Sequence, residues 1–165
     1  MVVEEELLVK LLNLDSNNII LEIMSNEGKF SNLFGERGRK VETIESDPAL
    51  ACLESLKSFR SRVHNHFVFC GSPQDFLRKK IDENAEVDTI IVNTDRLRCV
   101  EGIWRQIKIL QPLLVIMTWT EERKGQRNKQ FMTANGFEII IKEEELKNGI
   151  SEKFCVGCCS KCYSD

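Results

Sequence analysis

Short apolar runs alternate with amphipathic stretches along almost the whole chain, and this alternation limits its possible folds more than any other feature. The runs 19–24, 40–45, 67–70, 87–92, 112–117 and 137–141 are only four to six residues long. Turn-forming residues bound most of them, as expected for strands covered by helices on both faces. A helix containing Phe30, Leu33 and Phe34 is predicted between the first two runs, ending at Gly35 and Gly38. Asp47-Pro48 is an N-cap followed by proline at the first helical position, opening a helix with Leu50, Leu53 and Leu56. Gly71-Ser72-Pro73 opens another, holding Phe76, Leu77 and Ile81. Over 98–110 the residues Val100, Ile103, Trp104, Ile107 and Leu110 share one side, and a polar helix over 121–135 stops at Asn135-Gly136. Apolar spacing at Leu7, Leu8, Leu11 and Leu12 predicts an N-terminal helix within residues 1–14. The resulting expectation is an α/β fold: a doubly wound, mostly parallel sheet of six or seven strands with helices on both faces. A short seventh strand is read at 153–156. Its link, 142–152, holds no obvious crossover helix, so an antiparallel end is expected. The 165 residues suit one domain, 1–165, with residues 153–165 as a Cys-rich last strand and tail.

Charge and cysteine usage narrow the function classes. With a net charge of −3 the chain lacks the excess of basic residues that a general nucleic-acid surface needs. No apolar run reaches 18 residues, and the start Met1-Val-Val-Glu-Glu-Glu is unlike an export signal, so neither a membrane span nor secretion is expected. Seven cysteines, an odd count, suggest reduced thiols in a cytoplasmic protein. Four of them, Cys155, Cys158, Cys159 and Cys162, form two abutting C-x-x-C pairs. Zinc-binding pairs normally stand apart in sequence, and adjacent Cys158 and Cys159 would face opposite sides of a strand. No metal is therefore expected, although one pair with ligands from elsewhere stays open. The basic run 123–129 reads as a solvated helix face, and Trp104 and Trp119 as packing. Arg96, Arg98 and Arg105 are candidates for meeting an anionic substrate.

In such sheets ligands bind beyond the carboxyl ends of the strands, where the strand order reverses. The first strand leads into Glu22-Ile-Met-Ser-Asn-Glu-Gly28. Gly28 would allow close backbone approach, and the free N–H groups of the next helix suit a carboxylate. Asn26 can donate to that carboxylate, and Glu22 can hold an ammonium. The second strand ends at Glu45, an acid suited to two ribose hydroxyls. Gly71 and Ser72 end the third and could flank an adenine. Asn93 and Asp95 follow the fourth, where catalytic polar groups are candidates. Neither G-x-G-x-x-G nor a P-loop sequence is present.

The segment Ile20-Leu-Glu-Ile-Met-Ser-Asn-Glu-Gly-Lys-Phe30, followed by Val41-Glu-Thr-Ile-Glu-Ser-Asp-Pro48, resembles motif I and the second-strand acid of class I S-adenosylmethionine-dependent methyltransferases. Asn26 and Gly28 resemble the loop of the FkbM-type members. The general likeness covers roughly 15–141, by element order. It implies S-adenosylmethionine as cofactor, held by Glu22, Met24, Ser25, Asn26, Gly28, Glu45, Ser46, Gly71, Ser72 and Asn93. It also implies O-methyl transfer to an unidentified acceptor. Motif I is degenerate: Met24 stands at the first glycine, Val92-Asn-Thr-Asp95 replaces the acidic segment after the fourth strand, and Met117 replaces an acid. A methyltransferase-like domain without turnover, serving as a binding or assembly module, is the alternative. A protein partner or a homo-oligomer would fit either reading.

Overall fold

The computed structural model describes residues 19–25, 31, 34–35, 39–97, 100–147 and 151–159. The strands are β1 (Ile19–Ile23), β2 (Val41–Glu45), β3 (His66–Cys70), β4 (Val87–Asn93), β5 (Leu114–Trp119), β6 (Phe137–Lys147) and β7 (Ser151–Cys159). The helices are α1 (Pro48–Arg60), α2 (Pro73–Asp82), α3 (Glu101–Leu110) and α4 (Glu122–Ala134). Among the described residues they build one seven-stranded sheet, ordered β3-β2-β1-β4-β5-β7-β6. The first five strands pair in parallel, and β7 inserts antiparallel between β5 and β6. This is the expected mostly parallel sheet. The N-terminal helix expected within 1–14 lies outside the described residues.

All seven residues of β4 and all six of β5 are buried, so these central strands carry apolar side chains to both faces. One face packs Leu21, Ile23, Ile90, Val92, Val115 and Met117 against α2, α3 and α4, through Leu77, Ile103, Ile107 and Met132. The other gathers Ile20, Val41, Ile91, Ile116 and Val156 around Phe34. Trp104 and Trp119 are buried in the first cluster, as packing residues. Gly125 lets α4 press on Trp119: a Cβ there would meet the indole at 2.8–2.9 Å.

Local signals hold where the chemistry is strong. The Asp47 carboxylate caps α1, accepting from the N–H of Ala49 at 2.8 Å, and Pro48 occupies the first turn. Several boundaries differ from expectation. β5 starts after Pro112, which cannot donate to a ladder, and continues through Trp119. The residues 142–147 and 151–152, expected as a link, extend β6 and β7 into a long hairpin. Gly35, expected to end a helix, has helical backbone itself.

The largest departure is α1. Leu53 and Leu56, the leucines that mark this helix in the sequence, are exposed, and Leu50 is half-buried. Ala51, Glu54 and Ser58 face the sheet instead. The reason is a polar patch on the sheet surface beneath them, into which Glu54 fits.

Candidate functional site

Parallel pairing aligns the carboxyl ends of β2, β1 and β4. Ile23 lies opposite Ile44 on one side and Val92 on the other, so the residues just beyond share one rim. Chain order reverses there, since β2 and β3 lie on one side of β1 while β4 and β5 lie on the other.

Glu45 is the central group of this rim and is fully buried. Its carboxylate accepts from both terminal nitrogens of Arg96: Nη2 donates to Oε1 at 2.8 Å, and Nη1 to Oε2. The Asp47 N–H also donates to Oε1, at 3.0 Å. A buried carboxylate needs such donors to remain charged. The site is therefore built around an acid engaged by a two-pronged donor. Ser46 beside it is exposed.

Met24 has φ +61, a left-handed conformation that glycine adopts freely and methionine seldom does. Its side chain turns into the apolar cluster beneath, with 5% exposure. The glycine-like requirement of this turn is thus met with a strained methionine, whose N–H still donates to Ile44 O at 2.9 Å.

Glu22 and Ser25, predicted to line the cofactor loop, belong to a buried polar chain. The Glu22 carboxylate accepts from the Ser31 N–H at 3.0 Å and from the Ser31 hydroxyl. Ser31 Oγ lies 3.0 Å from Thr43 Oγ1, and Thr43 Oγ1 lies 2.9 Å from His66 Nε2. His66 Nε2 lies 3.2 Å from Glu54 Oε1, and the Ser25 hydroxyl donates to Glu54 Oε2. Because Ser31 spends its proton on Glu22, Thr43 donates to Ser31 and accepts from His66 Nε2–H. One chain thus links the segment after β1 to β2, β3 and α1. Glu22 is engaged with Ser31 in this arrangement. Asn26 and Gly28 lie outside the described residues.

At the third strand end, the Gly71 N–H donates to Glu45 O at 3.0 Å, and the exposed Ser72 caps α2 through Asp75 N at 3.4 Å. After β4, Asn93 Oδ1 accepts from the Asp95 N–H at 3.1 Å. Asp95 Oδ2 accepts from the Thr120 hydroxyl at 2.6 Å and the Thr120 N–H at 2.5 Å, and Lys124 Nζ lies 3.3 Å from Oδ1. Asn128 Nδ2 donates to Thr94 Oγ1 at 3.0 Å. The candidate catalytic residues therefore fasten the segment after β4 to the β5 end and α4.

The basic run of α4 is engaged with acids. Arg127 meets Glu101 at 2.8 Å and Arg123 meets Glu121 at 2.7 Å. The Arg123 hydrogen bond holds the Glu121 carboxyl below its ordinary pKa. Cys155 and Cys158 are buried in opposite faces of β7, and Cys159 is half-buried. The described residues contain no group of three metal-ligating side chains, and Cys162 lies outside them. No described helix is long and apolar enough to cross a membrane.

Arg96, read as a candidate for an anionic substrate, engages Glu45 instead, and sequence reasoning missed His66 and Glu54 as support of the rim. Position 54 shares the inward spacing of Ala51 and Ser58, but the leucine repeat at 50, 53 and 56 outweighed that signal.

No protein-family profile and no curated protein matches the sequence. Solved structures do match the fold. A precorrin-6y C5,15-methyltransferase from Geobacter metallireducens shares 10% identity over 93% of this chain and 86% of its own, with a TM-score of 0.71. A precorrin 8w decarboxylase from Methanobacterium thermoautotrophicum shares 16%, over 93% and 88%, with a TM-score of 0.72. A SAM-dependent methyltransferase from Aquifex aeolicus shares 12%, over 93% and 88%, with a TM-score of 0.63. The chain has the Rossmann-like fold of class I methyltransferases.

Proposed function

We propose that this protein is an S-adenosylmethionine-dependent methyltransferase. The observation that carries the reading is Glu45, buried at the end of β2 with a carboxylate already engaged by a pair of donors. A ribose diol presents a comparable pair, so the residues present fit the group. In this reading Glu45 binds the ribose and Ser46 lies beside it. The turn at Met24 and Ser25, with Asn26 and Gly28, holds the amino-acid end, and Gly71 and Ser72 border the adenine. Glu22 supports the turn through Ser31 rather than meeting the ligand. The cofactor supplies an electrophilic methyl group.

The chain's own contribution is positioning. Asn93 and Asp95 set the shape of the segment facing the acceptor, with Asp95 held by Thr120 and Lys124. We assign O-methyl transfer as the reaction, to an acceptor that the site's residues do not identify. The odd cysteine count supports a cytoplasmic setting. A second reading is a binding module without turnover. Met24 at the glycine position and the engaged state of Asp95 favour it.

Isothermal titration with S-adenosylhomocysteine tests the cofactor site. The expected result is 1:1 binding that Glu45→Ala weakens. Absence of both heat and thermal shift at about millimolar ligand would overturn both the site and the activity. Binding without methyl transfer to any tested acceptor class would favour the module.

A further inference from the structure

We propose that Arg96 is an internal competitor for the ribose site: its guanidinium occupies Glu45 as a diol would, and the cofactor binds only after Arg96 swings away. The inference rests on the cofactor reading above. It concerns a residue that this reading leaves without a role.

Three observations carry it. First, the contact is two-pronged. Nη2 donates to Oε1 at 2.8 Å and Nη1 donates to Oε2, so both carboxylate oxygens are engaged. A guanidinium fork and a vicinal diol place two donors on a carboxylate in much the same way. The two cannot share Glu45.

Second, the burial is asymmetric. Glu45 is fully buried, while the Arg96 side chain keeps 21% exposure. Arg96 therefore has a route to water and Glu45 has none. On release, the arginine is resolvated and the acid needs a replacement pair of donors.

Third, the backbone that carries Arg96 is anchored independently. Asp95 is tied to Thr120 and Lys124, Thr94 donates to Thr118 O at 2.9 Å, and Asn93 caps the Asp95 N–H. The Arg96 side chain can leave without opening this segment.

The closed pair lowers apparent affinity by the fraction of molecules in which Glu45 is open. It also sharpens ligand choice. A ligand with both ribose hydroxyls can replace both arginine donors, whereas one lacking the 2′-hydroxyl leaves a buried carboxylate oxygen short of a partner.

The test is isothermal titration of the wild type, Arg96→Ala and Arg96→Lys with S-adenosylhomocysteine and its 2′-deoxy analogue, with thermal shift as a second readout. Arg96→Ala is expected to bind S-adenosylhomocysteine at least about tenfold more tightly than wild type. Arg96→Lys, with one point donor, should fall between them. Arg96→Ala should melt lower without ligand and gain more from it. The 2′-deoxy analogue should bind far more weakly to the wild type. Equal or weaker binding by a folded Arg96→Ala, or by Arg96→Lys if the alanine variant does not fold, overturns the competition while leaving the cofactor site intact. No binding by any of the three proteins overturns the cofactor site and the competition with it.

Discussion

Gly125 and Glu54 show how single positions set the packing. Gly125 faces the Trp119 ring so closely that a Cβ would lie 2.8 Å from it. Both the helix backbone and the buried indole would have to shift. Gly125→Ala, usually stabilising within a helix, should here cost about 1–3 kcal/mol in urea unfolding. An unchanged midpoint would show that α4 yields without cost. Glu54 has the opposite chemistry in an equally closed place. Removing its carboxylate leaves the Ser25 hydroxyl short of a partner under α1, while His66 Nε2 keeps Thr43. Glu54→Ala should cost about 1–3 kcal/mol for the group so orphaned. His66 Nδ1 is already a buried nitrogen without a hydrogen bond, so the site has little spare capacity. The calorimetric check is whether the double variant Glu54→Ala/Ser25→Ala loses less than the sum of its singles, as a shared hydrogen bond requires. Full additivity would refute the link between the β1 turn and α1.

Elements differ in how plainly their sequences announce them. β7 follows the two-residue period closely: Phe154, Val156 and Cys158 enter one cluster, while Cys155 packs into the other and Cys159 lies against it. Two of the tail thiols are therefore core residues on opposite sides of the sheet. Cys52 and Cys70 are exposed. A thiol reagent added to the native protein should modify Cys52 and Cys70 rapidly, and Cys155 and Cys158 only as the sheet opens in denaturant. Mass mapping of the labelled peptides reads this directly, and fast native labelling of Cys155 would mean that β7 is not held in the sheet. The apolar runs made the first six strands and their order along the chain legible, because burial on both faces leaves an unbroken signature. The end of the β6–β7 hairpin was not legible: Lys142-Glu-Glu-Glu145 carries none of that signature, and its residues owe their strand form to pairing with β7. α1 formed where its cap predicts, but which way it faces was not legible, for a different reason. Leucine spacing reports an apolar stripe, but only the partner surface decides which way it faces, and His66 and Thr43 made that surface polar. For the site, Glu45 was legible as an acid ending a strand. Arg96, 51 positions away, was not, because only the β1–β4 pairing brings them together.

On the scale of the whole molecule, the described residues cover the sheet well at its centre and thinly at the β3 edge. Phe59 is 82% exposed, with Leu53 and Leu56 beside it on α1, and Phe67 and Phe69 stand partly open on β3. An uncovered edge strand of this kind invites pairing with other chains. Here the strand is only five residues long, and two cations lie over its rings: Lys40 Nζ is 5.7 Å from the Phe67 centroid and Lys80 Nζ is 5.7 Å from that of Phe69. Both lysines are held near the Glu42 carboxylate, which keeps them over the edge. The outward leucines of α1 have no comparable cover among the described residues. Their contribution to folding must then be small, since side chains already in water have little transfer energy to lose. Replacing Leu53, Leu56 and Phe59 together by glutamine should change unfolding free energy by no more than about 0.5 kcal/mol per site. The buried Ile91, truncated to alanine, should cost about 2–5 kcal/mol. Urea titrations of the two variants beside the wild type make the comparison at a fixed protein concentration. If the triple glutamine variant lost as much as Ile91→Ala, the outer face of α1 would have to be covered in the folded protein, and the fold would bury an apolar layer beyond the one its sheet defines.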